Sequence, residues 1–568
     1  MNFYEAEPAF QDLMKDVLGP ETFKWAEPLL QDMGKMAAQT IPPLSEDAEN
    51  NPPFLIQYDP QGNRKDEVKV HPSYQEMIKL AYGAGLGGMY YDEAMQARYG
   101  YIPHTLVFGL GYLFSQGEQG LYCPICMTEG SARLIDLFGD DSLRRRFMPG
   151  LTSHDFETLY QGSMLLTEKQ GGSDVGANET VARQVGDHWE LTGEKWFCSN
   201  AGQASVMMVL ARPEGAPAGT RGLGLFLMPR DLEDGSRNHF RIDRLKDKLG
   251  TRSMPTGEYT LEGAIAYPLG DLSRGFLYMT EMLNLSRTYN AIASLGLMRR
   301  ATFEAVTYAR ERVAFGKPID QYPMVRKTLV EMVDELEASQ AFVWETLGLL
   351  DRIDSKQADE EDRRLHRLLT PMIKYHTARQ AVRFASEAAE ILGGNGYIEN
   401  FITPRLLRDA QVLPIWEGTT NILVLDVLRS LRKEKAHEPL FRRLRQGLDA
   451  EVPALSELKA FLSQEIDRLE TALQELSSQE MDLLTYHAKT WSDRAIRLYE
   501  AVLLFGQAKR EISEGKGRKL AILGIHCDRF LRPQVFGEPG WCAQATPHML
   551  FEAIVHHASL PLESTVKR

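Results

Sequence analysis

The chain has 568 residues, more than one ordinary hydrophobic core accommodates, so its length predicts three or four packed units and excludes a short binding module. Hydrophobic residues make up 43% and charged residues 25%, and no apolar run approaches the roughly 20 residues that span a bilayer, so no membrane span is predicted. The formal net charge of -14 would repel a nucleic-acid backbone and disfavours a dedicated DNA-binding protein.

The first residues and the cysteines bear on the compartment. Met1 to Pro8 contain no basic segment followed by an apolar one, so a cytoplasmic protein is expected. The five cysteines are odd in number and sparse, which predicts free thiols in a reducing compartment. Cys123 and Cys126 have redox-motif spacing but lack a second pair or a histidine cluster, so a helical context is favoured and no metal site is predicted.

The first two regions differ in the spacing of their apolar residues. Residues 1–158 are predicted to form an N-terminal helical domain with an extended arm, because helical spacing is interrupted by Pro and Asn between Ile41 and Pro60. Residues 159–272 are predicted to form a middle β domain, since short runs such as Ser205-Val-Met-Met-Val-Leu are separated by Gly, Asn, Asp and Pro.

Helical spacing returns after the β domain. Residues 273–435 are predicted to form a helical bundle, with a tight turn at Gly393-Gly-Asn-Gly396. Residues 436–568 are predicted to form an additional C-terminal helical domain, whose apolar residues precede a Gly/Pro/Trp-rich end. The predicted fold class is therefore α+β, mostly helical.

Four local motifs resemble acyl-CoA dehydrogenase signatures and occur in that family's order. They are Leu166-Thr-Glu-Lys-Gln-Gly-Gly-Ser-Asp174, Gly193-Glu-Lys-Trp-Phe-Cys-Ser-Asn200, Arg310-Glu-Arg-Val-Ala-Phe-Gly-Lys-Pro-Ile319 and Ile415-Trp-Glu-Gly-Thr-Thr-Asn421. One such motif is weak evidence, whereas four in sequence make an accidental resemblance improbable. The resemblance implies an FAD-containing flavoprotein whose fold has an N-terminal helical domain, a middle β domain and a C-terminal four-helix bundle.

Other features resemble the AidB-like branch of this superfamily. The first motif has Lys169 after its glutamate, where ordinary members usually have proline. The segment Lys246-Asp-Lys-Leu-Gly-Thr-Arg-Ser253, the arm from Asn51-Pro-Pro to His71-Pro, and the added C-terminal domain also resemble that branch.

Glu417 is the candidate catalytic residue. Removal of a proton alpha to a thioester, while a hydride leaves the beta carbon, requires a positioned carboxylate and an electron acceptor. The resemblance assigns the first role to Glu417 and the second to FAD, and it assigns the backbone N–H of Glu417 to the thioester carbonyl. The alternative is an exposed carboxylate that caps a helix before Thr419.

Several residues are assigned to FAD by the resemblance. In the β domain these are Leu166, Thr167, Gly172, Ser173, Phe197 and Ser199. In the helical region they are Arg312, Phe315, Gln321, Gly394, Thr419 and Asn421. Arg312 suits the pyrophosphate of a neighbouring subunit's cofactor because its guanidinium is always charged. Two ordinary hairpins with glycine turns remain the alternative for the first set.

The acyl-CoA side is assigned in the same way. Ser173, Glu417 and Gly418 are expected to contact substrate, and Asn284 and Arg287 match the family positions on the helix that meets CoA. Ordinary helix-surface residues are an equal alternative for Asn284 and Arg287.

Two functions follow from the resemblance. The first is an acyl-CoA dehydrogenase of fatty acid metabolism that forms a trans-2-enoyl-CoA, passes electrons to an electron-transfer flavoprotein and assembles as a homotetramer. The second is an AidB-like DNA-associated or acyl-sequestering flavoprotein with little turnover. The basic run from Lys509 to Lys519, with Arg529 and Arg532, is interpreted as a solvated helix face or as a weak, non-specific DNA contact.

Overall fold

The computed structural model describes residues 1–449, 451–532 and 546–566, most of which are helical. The chain forms two compact units. The first unit contains Met1–Ala6 and Pro20–Tyr289, and the second contains Glu7–Gly19 and Asn290–Arg568. Cys542 and most of the Gly/Pro/Trp-rich end lie outside the described residues.

The chain begins with helices and a two-stranded hairpin. Helix α1 is kinked at Gly19, whose φ of 69° is not helical. Strands β1 and β2 pair in antiparallel register, with Leu55 opposite Val68. The elements are α1 (Pro8–Gln39), α2 (Ile41–Asn50), β1 (Phe54–Tyr58), β2 (Arg64–Lys69), α3 (Pro72–Gly83), α4 (Glu93–Tyr99), α5 (His104–Ser115), α6 (Tyr122–Phe138) and α7 (Asp141–Leu151).

The extended arm begins later than the sequence indicates. The stretch from Ile41 was expected to interrupt the helices, but Ile41–Asn50 is helix α2. Pro42 and Pro43 lie in its first turn, where the missing N–H groups have no intrahelical partner to lose. The arm is therefore the hairpin of β1 and β2 alone.

The middle region is a seven-stranded sheet. Its strand order is β3-β6-β4-β5-β9-β7, β8 pairs with β9, and an additional pairing joins β6 to β7. The strands are β3 (Gly162–Leu165), β4 (Val181–Val185), β5 (His188–Ser199), β6 (Val206–Pro213), β7 (Gly224–Pro229), β8 (Phe240–Leu245) and β9 (Thr256–Pro268). The predicted β domain is confirmed as a sheet in this region.

Strand β6 separates two hydrophobic cores of the first unit. Met207 and Val209 pack into one core with residues of the other strands, while Met208 and Leu210 pack into a second core with helices α6 and α7. Successive side chains of a strand point to opposite faces, so an uninterrupted apolar run is what a strand buried on both sides requires.

The second unit is helical apart from a short hairpin. Helix α8 begins at Gly275 and continues into this unit as far as Glu311. Helix α9 packs against α10, and α15 packs against α9, α12, α14 and α16. The elements are α8 (Gly275–Glu311), β10 (Val313–Ala314), β11 (Lys317–Pro318), α9 (Pro323–Asp354), α10 (Glu360–Leu392), α11 (Thr403–Ala410), α12 (Thr420–Lys433), α13 (His437–Gly447), α14 (Ser456–Ser477), α15 (Met481–Ser513), α16 (Arg518–Phe530), α17 (Thr546–Met549), α18 (Phe551–Val555) and α19 (Leu562–Val566).

The helical spacing of the last region is matched by burial. Ile466, Leu469 and Leu473 of α14 are all buried. Throughout residues 1–449, 451–532 and 546–566, no helix combines the length and the apolar character needed to cross a bilayer.

The basic run of the last region is divided, because Lys509, Arg510, Lys516 and Arg532 are exposed, as a solvated face requires, whereas Arg518 and Lys519 are interior. Arg518 and Lys519 are both buried, and both bind the carboxylate of Glu337 on α9. Arg529 binds Asp334 and Glu335 on the same helix. Lys516 differs from these residues because its side chain is 63% exposed and pairs only with neighbouring Glu514. Most of these cations are therefore engaged by the protein's own carboxylates.

Candidate functional site

Glu417 lies on a turn between α11 and α12 and has an unusual backbone conformation. Its φ is 56°, and the φ of Gly418, the next residue, is 99°. Glycine adopts such values readily, but a residue with a side chain rarely does. Outliers of this kind persist only where the surrounding structure holds them, and they concentrate at functional sites.

Lys374 holds the backbone on both sides of Glu417. It lies on α10, and none of its surface is exposed to solvent. Its Nζ donates to the carbonyl oxygen of Trp416 at 2.6 Å and to that of Gly418 at 2.7 Å. Hydrogen bonds from a cation are shorter and stronger than those between neutral groups. The two carbonyls that flank Glu417 therefore share one buried ammonium.

Helix α8 fixes the same turn from another side. The indole Nε1 of Trp416 donates to Oδ1 of Asn290 at 2.9 Å. The amide Nδ2 of Asn290 in turn donates to the carbonyl oxygen of Leu413 at 3.2 Å. The indole of Trp416 thus contributes a polar anchor to the turn.

The structure distinguishes Glu417 from a helix cap. The N-cap residue of α12 is Thr419, and Glu417 precedes it by two positions. Glu417 is half-buried, whereas the capping alternative required an exposed carboxylate. Thr419 and Asn421 are exposed at the start of α12, so four assigned residues, Glu417, Gly418, Thr419 and Asn421, lie along one short segment.

In the first unit, the first two sequence motifs lie side by side. The backbone N–H of Trp196 donates to the carbonyl oxygen of Thr167 at 2.9 Å. Asn178 Nδ2 donates to the carbonyl oxygen of Leu166 at 3.0 Å. Residues Leu166 and Thr167 are thus anchored both to the strand that carries Phe197 and to the loop that follows the first motif.

A buried ion pair joins the same two motifs. Nζ of Lys195 lies 2.8 Å from Oε1 of Glu168 and also donates to the carbonyl oxygen of Leu210 at 2.9 Å. Burial raises the pKa of Glu168, but Lys195 and hydrogen bonds from Thr180 and Glu179 outweigh it, so the pKa lies below its ordinary value. Glu168 is therefore held as a carboxylate beneath the assigned FAD residues.

The assigned residues of these motifs differ in exposure. Leu166 is buried, Thr167 and Ser199 are half-buried, and Gly172 and Ser173 are exposed. Phe197 is 55% exposed, and Nζ of Lys246 lies over its ring, 4.8 Å from the ring centre. A Cβ at Gly172 would lie 2.5 Å from Oγ1 of Thr167, so the glycine packs closely on that hydroxyl.

The residues assigned to CoA lie in the first unit, near the start of α8. Nη1 of Arg287 donates to Oδ1 of Asn284 at 3.2 Å, one helical turn apart, and both are half-buried. The contact turns the Asn284 side chain toward the cation.

The remaining assigned residues lie in the second unit on two other segments. Arg312 precedes the β10–β11 hairpin and is exposed, as is Gln321 after it. Phe315 lies at the hairpin tip with a φ of 52° and 98% of its surface exposed. Gly394 is exposed on a 3₁₀ turn, Gly393–Tyr397, which follows α10. The structure thus places Glu417, Gly418, Thr419 and Asn421 on one segment. The assigned residues of the hairpin and of the 3₁₀ turn lie on two other, exposed segments.

Comparison with known families covers most of the chain. Residues 163–264 match the acyl-CoA dehydrogenase middle domain, and residues 273–432 match the acyl-CoA dehydrogenase C-terminal domain. Residues 1–158 match the adaptive response protein AidB N-terminal domain.

Known proteins agree with these matches. The chain is 35% identical to acyl-CoA dehydrogenase family member 11 of Caenorhabditis elegans, over 75% of this chain and 70% of that protein. It is also 35% identical to the putative acyl-CoA dehydrogenase AidB of Escherichia coli, over 72% of this chain and 75% of that protein. The chain belongs to the acyl-CoA dehydrogenase family. The AidB relative and the AidB N-terminal match place it in the AidB-like branch.

A solved structure extends the similarity to nearly the whole chain. The crystal structure of Caenorhabditis elegans ACDH-11 in complex with C11-CoA has a TM-score of 0.87 and 30% sequence identity to this chain. The superposition covers 97% of this chain and 95% of the other. The α+β, mostly helical acyl-CoA dehydrogenase fold is confirmed, including the additional C-terminal helices.

The family motifs do not reveal the residues that support this site. Lys374 stands alone in the helical stretch Pro371-Met-Ile-Lys-Tyr-His-Thr, and its apolar neighbours were the one sign that it faces the interior. Asn290 lies in a similar apolar run. Within the described ranges, no group of His, Cys, Asp and Glu is arranged to hold a metal ion.

Proposed function

We propose that this chain is an FAD-dependent acyl-CoA dehydrogenase that forms a trans-2-enoyl-CoA, with Glu417 as the base. The observation that carries the proposal is the turn at Glu417. Its left-handed conformation is braced by a buried ammonium, on a segment that matches the family motif. A carboxylate placed this way is suited to proton transfer, because its backbone costs no reorganisation when substrate binds.

The donor groups of the first unit suit a flavin. Thr167, Ser173 and Ser199 offer hydroxyls on adjoining segments, and Phe197 offers an exposed aromatic ring. We assign these residues, with Leu166 and the closely packed Gly172, to the isoalloxazine ring. Bound FAD supplies the acceptor for the hydride that leaves the beta carbon.

The second unit supplies the proton acceptor. Glu417 takes the alpha proton, and the electron pair of the broken C–H bond forms the alpha,beta double bond as the hydride leaves the beta carbon, with the developing negative charge shared by the thioester carbonyl. The N–H of Glu417 donates to that carbonyl oxygen and stabilises its developing negative charge. Gly418 permits close backbone approach to the acyl group, and Ser173 is assigned to the substrate as well as to FAD.

We assign the positively charged side chain of Arg312 to the phosphate groups of FAD. Arg312 is exposed and can form bidentate contacts with a pyrophosphate. Together with Phe315 and Gln321 it is assigned to the FAD of a neighbouring subunit, and the homotetramer is proposed from the family resemblance. Gly394, Thr419 and Asn421 are assigned to further FAD contacts, and Asn284 with Arg287 to the CoA chain.

The wider assignments rest on family membership. An electron-transfer flavoprotein is the proposed acceptor of electrons, and fatty acid metabolism is the proposed setting. The four-domain division at residues 158, 272 and 435 is proposed from the changes in apolar spacing along the chain. Free thiols at Cys198 and Cys527 support a reducing compartment such as the cytoplasm.

The AidB-like alternative is favoured by the match of residues 1–158 to the AidB N-terminal domain. In that function the same assigned residues bind an acyl group, and the protein turns it over slowly or not at all. A DNA contact through the basic run is less well supported, because Arg518 and Lys519 are buried against Glu337.

Anaerobic titration of the purified protein with a panel of acyl-CoAs separates the two functions. The dehydrogenase function predicts that at least one acyl-CoA bleaches the flavin stoichiometrically and yields the enoyl product. Tight acyl-CoA binding without bleaching would instead support the acyl-sequestering function. Light scattering on the same preparation tests the tetramer, and a monomer would contradict the role of Arg312 across subunits.

A further inference from the structure

We propose that Lys374 is a positioning residue for the oxyanion. Its ammonium orients and polarises the peptide between Trp416 and Glu417, so that the N–H of Glu417 becomes a stronger donor to the thioester carbonyl. This inference rests on the proposed function, because it concerns the same acyl-CoA site.

The direction of the Glu417 N–H follows from the geometry of the peptide between Trp416 and Glu417. In a trans peptide the carbonyl and the N–H of one unit lie in one plane and point in opposite directions. The carbonyl oxygen of Trp416 belongs to the same peptide unit as the N–H of Glu417, and it lies 2.6 Å from Nζ of Lys374. A cation that fixes the direction of this carbonyl therefore also fixes the direction in which the N–H of Glu417 points.

The charge of Lys374 also polarises this peptide. A positive charge on a carbonyl oxygen draws electron density from the amide and leaves its N–H a stronger donor, as in other hydrogen-bond chains. Lys374 has no exposed surface, so little solvent screens this effect. The ammonium of Lys374 thereby makes the N–H of Glu417 a stronger donor, although this N–H points away from it.

Lys374 also restrains the backbone that positions the carboxylate of Glu417. Nζ also binds the carbonyl oxygen of Gly418 at 2.7 Å, on the far side of Glu417. Rotation of either peptide unit would break one of these bonds, so the pair resists relaxation of Glu417 away from its φ of 56°. The same cation therefore positions both the proton acceptor and the oxyanion donor.

A purely structural lysine would satisfy the two carbonyls without influencing the ligand. Loss of such a residue would lower stability and FAD retention but would leave the thioester carbonyl of bound ligand unchanged. The vibrational frequency of that carbonyl distinguishes the two roles, because it falls as the hydrogen bond to it strengthens.

The test uses the full-length, FAD-loaded protein and the variants Lys374→Arg, Lys374→Gln and Lys374→Met. The probe is a trans-2-enoyl-CoA carrying ¹³C at the thioester carbonyl, which has neither an alpha methylene for Glu417 to deprotonate nor a beta hydride to lose. Isotope-edited infrared difference spectra compare bound and free ligand. In parallel, stopped-flow absorbance follows flavin reduction by the acyl-CoA that reduces the wild type fastest.

We expect wild-type protein to lower the carbonyl frequency of the bound probe, Lys374→Arg to retain most of this shift, and Lys374→Gln and Lys374→Met to lose most of it. Flavin reduction should slow on the order of tenfold or more in Lys374→Met, as expected when an oxyanion donor is weakened. Arg518→Met, which removes a buried cation from another part of the unit, controls for lost stability and should keep the wild-type shift.

Each contrary outcome has its own meaning. Equal carbonyl shifts in wild type, Lys374→Gln and Lys374→Met would overturn the role of Lys374 while leaving the dehydrogenase function intact. A wild-type protein that no acyl-CoA reduces would overturn the proposed function and this inference with it. If Lys374→Met does not fold, Lys374→Gln against Lys374→Arg decides the matter, and equal shifts in these two overturn the role of the cation.

Discussion

Arg518 on α16 donates to both carboxylate oxygens of Glu337 on α9, with Nη1 3.0 Å from Oε2. Nζ of Lys519 lies 2.6 Å from the same Oε2. Burial raises the pKa of Glu337, but the two cations lower it by more, so the pKa lies well below its ordinary value. The helices of the second unit are thus joined by a buried ion cluster.

We predict that Arg518→Met destabilises the second unit by about 1–3 kcal/mol, because Glu337 keeps Lys519 but loses its two buried hydrogen bonds from Arg518. Lys516→Met is the matched control, because its exposed pair with Glu514 is worth about 0–1 kcal/mol. Urea unfolding followed by circular dichroism measures both. Similar losses in the two variants would show that burial of Arg518 does not matter.

A pH dependence follows from Glu335, which lies on the same helix as Glu337 but has its own set of cationic partners. Burial raises the pKa of Glu335, but Arg497, Arg383 and Arg529 lower it from 4.5 to about 2. Because the pKa is depressed in the folded state, this stabilisation is complete above pH 4.5 and is lost as the pH falls toward 2. The free energies of unfolding of wild type and Glu335→Gln should therefore differ most near pH 7 and converge in acid, and a constant difference would contradict the prediction.

Lys195→Met should loosen the segments assigned to the flavin. The change leaves the carboxylate of Glu168 buried without its cation, at a cost of about 3–5 kcal/mol. FAD retention during gel filtration and the midpoint of thermal unfolding should both fall, whereas Lys169→Met, at an exposed neighbour, should leave both near wild type. The double variant Glu168→Gln/Lys195→Met should recover part of the loss, and no recovery would argue against a specific pair.

Gly418→Ala should slow flavin reduction while FAD stays bound. A side chain at a φ of 99° is strained, and its Cβ would lie 3.1 Å from Cδ2 of Leu423. Strain of this kind costs about 1–3 kcal/mol and would displace the turn that carries Glu417. Gly348→Ala is the control, since no heavy atom lies within 4 Å of its Cβ on α9. Wild-type reduction rates in Gly418→Ala would show that the turn tolerates a side chain.

Short-range patterns made the fold and the Glu417 motif predictable from sequence. The apolar run of β6 and the helical spacing of Ile466, Leu469 and Leu473 depend on neighbouring residues, which a sequence displays directly. The helix at Ile41–Asn50 was missed because its two prolines resemble a break, although the first turn of a helix accepts them.

Long-range pairing was not predictable in the same way. Lys374 binds backbone carbonyls 42 and 44 residues further along the chain, and Arg518 binds a carboxylate 181 residues before it. A charged side chain is most often solvated, so its sequence neighbours cannot reveal a distant buried partner. Both residues become informative only when the helices are packed.

The most direct test of the central claim is anaerobic flavin reduction by acyl-CoA in wild type and Glu417→Gln. The amide has nearly the shape of the carboxylate but cannot accept the alpha proton, so FAD and acyl-CoA should still bind while reduction slows by about 10²–10⁴-fold. Equal rates of bleaching in the two proteins would contradict the account, because they would show that Glu417 is not the base.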